Sequence, residues 1–209
     1  IWSLDATETR LDDMATLISG NDISTAWLDS AALLTGEPRW RASNLIVVVA
    51  EPLIERPAIR HELDHFYSNV AKSNTPGVET VAGTIFLESF YRPHASNPQQ
   101  HLFDLERKVR PAIRRHPQNR RGTYFERMVA WPDVDGQEYN QLEAVIRNLR
   151  AAQSAGQLNG NRFELSLYHP TKDPYPFGFP CLSHISVTLR DGKLDMSALY
   201  RNQYFITRA

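Results

Sequence analysis

The stretch from Phe179 to Arg201, FPCLSHISVTLRDGKLDMSALYR, constrains the fold more than any other. Two apolar runs rich in β-branched residues flank Asp191-Gly192. Asp-Gly between alternating apolar residues is a strong signal for a two-residue hairpin turn. With Arg190 and Lys193 flanking that turn, regular pairing sets Leu182 opposite Arg201 and Cys181 opposite Asn202. The only cysteine of the chain then lies within one residue pair of a fixed cation. A nearby guanidinium favours thiolate over thiol, and the thiolate is the nucleophile.

A chain of 209 residues with 42% hydrophobic content can bury a real core, and no linker-like stretch divides it, so one domain is expected over residues 1–209. The formal net charge of −1 argues against a general nucleic-acid binder. No apolar run reaches the length of a membrane span and no signal-peptide pattern is present. A lone cysteine excludes an internal disulfide framework and suits a reducing cytoplasm. The chain opens on Ile1 and stops at Ala209 straight after a strand-like segment, so it is expected to lack parts at one or both ends.

Leu11, Met14, Leu17 and Ile18 recur at helical spacing, and Ser19-Gly20-Asn21-Asp22 would stop that helix. Asn44 to Ala50 reads as a strand ended by Glu51-Pro52. Residues 57–71 read as a helix with Pro57 in its first turn. Within it, His61-Glu62-Leu63-Asp64-His65 is formally HExxH, which would set two imidazoles on one face for zinc and offer Glu62 as base. The charged Asp64 is foreign to that motif's buried helix; Glu79, His94 and His101 are the available third ligands, and the competing reading is a surface helix. Pro76-Gly77 reads as a turn, and Val78 to Phe90 leans towards strand, interrupted at Gly83. Residues 100–116 read as a helix broken or kinked at Pro111. The basic run from Arg114 to Arg121 suits either a phosphate-bearing ligand or a solvated salt-bridge surface. Tyr124 to Trp131 alternates as a strand would, Tyr139 to Ala152 is the clearest helix, and Arg162 to Tyr168 is a strand. The loop His169–Pro174 and the segment PYPFGFP then lead to Cys181, and the prolines restrict that approach.

Pro180-Cys181, then Asp191-Gly192-Lys193-Leu194, then Arg201 resembles the core of the thymidylate synthase family, which includes the pyrimidine nucleotide hydroxymethylases. Asn140-Gln141-Leu142 resembles that family's DQL-type helix, and Asn161-Arg162 with FELSLYHPTKD resembles its arginine-bearing strand and WNP-type loop. Gly122-Thr123-Tyr124 to Trp131 is similar to its GPVYG…W segment. The resemblance covers roughly residues 120 to 205. It implies an α/β (α+β) fold, a mixed sheet flanked by helices, and a homodimer formed through the sheet. It also implies that the Cys181 thiolate adds to carbon 6 of a pyrimidine nucleotide, so that carbon 5 attacks a one-carbon unit carried by 5,10-methylenetetrahydrofolate. Arg201 would grip the nucleotide phosphate and help keep Cys181 ionised, Arg162 would serve the phosphate of a partner copy, Tyr124 would line the pocket, and Asn202 is a further substrate-binding candidate. Glu88 or Glu62 would be the acidic residue for proton transfer, and a solvated carboxylate is the competing reading for each.

The chain departs from the family at Leu182, Ser186, Asn161 and Asn202-Gln203-Tyr204, the positions where base, sugar and phosphate are chosen. A relative with an altered substrate is therefore expected, with a nucleotide-binding protein that has lost the chemistry as the alternative and an HExxH zinc hydrolase as a weaker one. The bland alternative for Cys181 is a small buried hydrophobe. His184 would point to the face opposite Cys181 unless a bulge intervenes, which favours a structural or hydrogen-bonded role.

Overall fold

The computed structural model describes residues 15–70, 77–92, 94–115, 117–119, 121–132, 135–156, 162–174 and 180–203. They form helices and small sheets of the α+β class, in two compact units that divide between Gly77 and Val78. Parallel and antiparallel pairings are both present, but in separate sheets.

In the first unit, β1 (Thr16–Asp22) pairs in parallel with β2 (Leu45–Glu51), Thr16 opposite Leu45 and Asp22 opposite Glu51. Parallel neighbours need a crossover, and α1 (Ile23–Gly36) supplies it. Leu17 and Ile18 are therefore strand residues and not part of a helix; Leu11 and Met14 lie outside the described residues. Nor does Ser19-Gly20-Asn21-Asp22 end a helix: it ends β1, and Asp22 caps α1 by accepting the Thr25 N–H at 2.7 Å. That bond chiefly, with the Thr25 hydroxyl and Arg56, holds the Asp22 carboxyl below its ordinary value. A Cβ on Gly20 would lie 2.7 Å from the Ala26 backbone nitrogen, so the close approach of strand to helix requires glycine there. The expected helix after Pro57 is α2 (Pro57–Asn69), with Pro57 in its first turn.

In the second unit, Val78 to Phe90 is not a strand but α3 (Val78–Ile85) followed by a 3-10 turn at Glu88–Phe90. Val78, Val81, Ala82 and Ile85 recur at helical spacing, and that outweighs β-branched content, which is a context-dependent signal. Next comes α4 (Pro98–Ile113), capped by Asn97 and ending two residues past Pro111. Tyr124 to Trp131 is likewise mostly helix, α5 (Tyr124–Val129). Thr123 caps it, its hydroxyl accepting the Glu126 N–H at 3.2 Å. This is half of a Thr-x-x-Glu capping box, a start signal that alternation obscured. A two-residue pair follows, β3 (Trp131–Pro132) against β4 (Glu138–Tyr139). The helix read at Tyr139–Ala152 is α6 (Gln141–Ala155), capped by Asn140 and closed by left-handed Gly156.

The antiparallel sheet orders β5 (Glu164–Ser166), β6 (Leu182–Arg190) and β7 (Lys193–Tyr200), with β5 shorter than the strand read at Arg162–Tyr168. Phe125, Val129, Val145, Phe163, Leu165, Leu182 and Ile185 are buried in one core. Asp191 and Gly192 have φ of 50° and 75°, the two left-handed residues of the tight turn that Asp-Gly specifies. Arg190 faces Lys193 as expected, but the register slips before the far end. Leu182 pairs with Tyr200 and His184 with Leu199, leaving Ser183 as a bulge. The reason lies in spacing. Leu182 and Ile185 are both buried, yet an odd separation places two residues on opposite faces of a regular strand. The bulge reconciles them, and it corrects the expected pairs Leu182–Arg201 and Cys181–Asn202.

Candidate functional site

With the bulge in place, Arg201 rather than Asn202 comes opposite Cys181, and its N–H donates to the Cys181 carbonyl at 2.9 Å. On the other side the Cys181 N–H donates to the Tyr124 hydroxyl oxygen at 3.1 Å, and the Leu182 N–H approaches the same oxygen at 3.5 Å. Cys181 is half-buried between buried Pro180 and buried Leu182. Its peptide is thus held by groups from α5 and from the end of β7. Tyr124 opens α5, so the Thr123 cap that starts the helix also aims the phenol.

Burial foremost, and then the negative charge a Cys181 thiolate would carry, pushes the Tyr124 phenol up against the opposing pull of the Leu182 and Cys181 N–H groups. Tyr200 is also pushed up, by burial first and then by Tyr124 and Cys181. Both phenols are therefore protonated near neutrality. The Arg201 guanidinium carbon lies 4.3 Å from the centre of the Tyr168 ring, a cation–π stack that places this cation on an aromatic face. Among the sequence-derived candidates, Tyr124, Cys181 and Arg201 converge. Asn202 is exposed beyond β7, and Arg162 is exposed just ahead of β5. Asn161, Tyr204 and the segment 175–179 lie outside the described residues. Glu62 and Glu88 are exposed.

The bulge also decides the place of His184. Its Nε2 lies 2.6 Å from Glu164, which accepts a further bond from the Ser186 hydroxyl at 2.9 Å. This histidine is a hydrogen-bonded member of a polar cluster. On α2, His61, Glu62 and His65 are exposed, Arg60 pairs with Asp64 and Glu55, and no group of three metal-ligating side chains converges among the described residues.

A larger feature lies away from the sulfur. A cavity of about 510 Å³ is lined by residues including Arg114, Arg121, Glu126, Arg127, Trp131, His169 and Lys172, and Cys181 is not among them. At its floor Arg127 grips buried Asp173 with both terminal nitrogens, at 2.5 and 2.8 Å. Burial pushes the Asp173 carboxyl up, but Arg127 and the His169 N–H outweigh it and the net direction is down. Gln141 ties this floor together, donating to the Arg127 and Ser166 carbonyls and accepting the Ser166 N–H. The Trp131 and His169 rings stack 5.5 Å apart. The basic run gave a signal for part of this cavity; Arg127 and Asp173, ion-paired across 46 positions, gave none. No protein-family model matches the chain, and no curated protein matches it significantly.

Proposed function

We propose that the chain is a diverged member of the thymidylate synthase family that transfers a methyl or hydroxymethyl group to carbon 5 of a pyrimidine nucleotide, with Cys181 as nucleophile. One observation supports this reading above the others. Tyr124, Cys181 and Arg201 are far apart in sequence or beside the ends of separate strands, the resemblance gives each a role at one nucleotide, and the Tyr124 hydroxyl and the Arg201 backbone N–H both bond the Cys181 backbone. Cys181 is half-buried and its backbone is held on both sides, which favours attack in a single geometry. The protonated Tyr124 and Tyr200 hydroxyls can donate to a ring carbonyl as charge develops on it. Arg201, stacked on Tyr168 beside the strand end, supplies the cation for the substrate phosphate.

The resemblance brings in 5,10-methylenetetrahydrofolate as source of the one-carbon unit; no cluster among the described residues singles out a seat for it. It also brings in a second copy of the chain. Two observations suit that partner: Arg162 is exposed, and β7 exposes Leu194, Met196 and Leu199 at 62–68% of their surface.

Release of tritium from carbon 5 of labelled pyrimidine nucleotides tests the activity. Release that depends on Cys181 and on the folate is expected for at least one nucleotide. The departures at Leu182, Ser186 and Asn202 favour a second reading, nucleotide binding without turnover. That reading expects binding unchanged in Cys181→Ser and no tritium release in either form.

A further inference from the structure

The 510 Å³ cavity is a site that the chemistry at Cys181 does not use. Its lining carries four cationic side chains, Arg114, Arg121, Arg127 and Lys172, and three carboxylates, Glu126, Glu138 and Asp173. The arrangement of these charges matters more than their sum. Each carboxylate already has a guanidinium on it. Asp173 holds Arg127, Glu126 holds Arg114, and Glu138 holds Arg110, which is not itself in the lining. The Asp173 and Glu126 side chains are 1% and 10% exposed, whereas Arg114 is 49% exposed. At the Arg114–Glu126 pair the carboxylate is therefore the buried partner and the guanidinium the exposed one.

Arg114 shows the consequence. It spends Nε and Nη2 on the two oxygens of Glu126. A guanidinium bound along that edge turns its Nη1 donors away from the carboxylate. Lys172 is exposed, and no ion pair involving it is found among the described residues. It sits one residue before Asp173, on the loop that the Arg127–Asp173 pair fixes. The stacked Trp131 and His169 also line the cavity. The volume falls within the usual range of small-molecule pockets, roughly 300–1,000 Å³.

We infer that this cavity binds a small ligand carrying an oxyanion, with Lys172 and the outer edge of Arg114 as its charged contacts. A phosphate or a carboxylate would satisfy the same donors. The test uses the full chain carrying Arg201→Gln, so that the proposed nucleotide site adds no anion binding of its own. It is titrated at low salt with pyrophosphate and, separately, with citrate, by calorimetry. Saturable binding of at least one is expected; pyrophosphate alone identifies a phosphate site, and citrate alone a carboxylate site. Adding Lys172→Ala, an exposed position that leaves the fold intact, weakens that binding roughly tenfold. Arg114→Gln does the same, confirmed as folded by circular dichroism. No saturation by either anion, or binding that Lys172→Ala leaves unchanged, overturns the inference. Neither result touches the proposal for Cys181, which is read by its own adduct.

Discussion

At the scale of the residue, Tyr124 couples packing to chemistry. Its hydroxyl oxygen receives N–H groups from Cys181 and Leu182, two donors otherwise left inside the strand entry. Tyr124→Phe removes that acceptor while keeping the ring. The expected loss is about 1–3 kcal/mol of stability, read by urea denaturation, because unsatisfied buried donors carry their full desolvation cost. Asp173 makes a second prediction, on acid stability. Its carboxyl is held below the ordinary 3.8, so its contribution is fully present above that value and is lost as pH falls through the lowered one. Asp173→Asn is expected to cost about 3–5 kcal/mol near neutrality by stranding Arg127, and to flatten the stability profile below roughly pH 4. Thermal melts from pH 3 to pH 7 check both; parallel profiles for the two proteins would remove Asp173 from the acid response.

At the scale of the element, the hairpin carries the most information. Gly192 at φ 75° is predicted to cost about 1–2 kcal/mol when changed to alanine, since a Cβ crowds the left-handed backbone. Gly20→Ala is expected to cost more, about 1–3 kcal/mol or beyond, because the new methyl would meet backbone and not a yielding side chain. Chemical denaturation of both variants ranks them. The turn, β2, α2, α4 and α6 were legible because each carries a local signal: Asp-Gly, a bounded apolar run, an N-terminal proline, a capping asparagine or a regular stripe. α3 and α5 were not, because Val, Thr and Tyr lean towards strand while only spacing and the Thr123–Glu126 cap indicate helix. The bulge at Ser183 is legible in retrospect from the odd separation of Leu182 and Ile185, but only once both are known to face the core. Of the candidate site, the trio Tyr124, Cys181 and Arg201 came from the family resemblance, and the cavity floor depends on a pairing across the fold that no local pattern encodes.

At the scale of the whole molecule, two compact units divide a chain that shows no compositional linker. No described helix is long and apolar enough to cross a membrane. The apolar side chains exposed along β7 give the proposed homodimer a physical motive. Sedimentation velocity is expected to show twice the monomer mass, and Met196→Lys with Leu199→Lys to shift the protein towards monomer. If that shift also lowers tritium release, the partner contributes to the site, as the exposed Arg162 suggests. The most direct measurement is the intact mass of the protein after incubation with 5-fluoro-2′-deoxyuridylate, or its cytidine analogue, and 5,10-methylenetetrahydrofolate. A gain equal to nucleotide plus folate is predicted for the wild type and none for Cys181→Ser. An unmodified wild type with every fluorinated nucleotide, or an equal gain in Cys181→Ser, would contradict a nucleophilic Cys181.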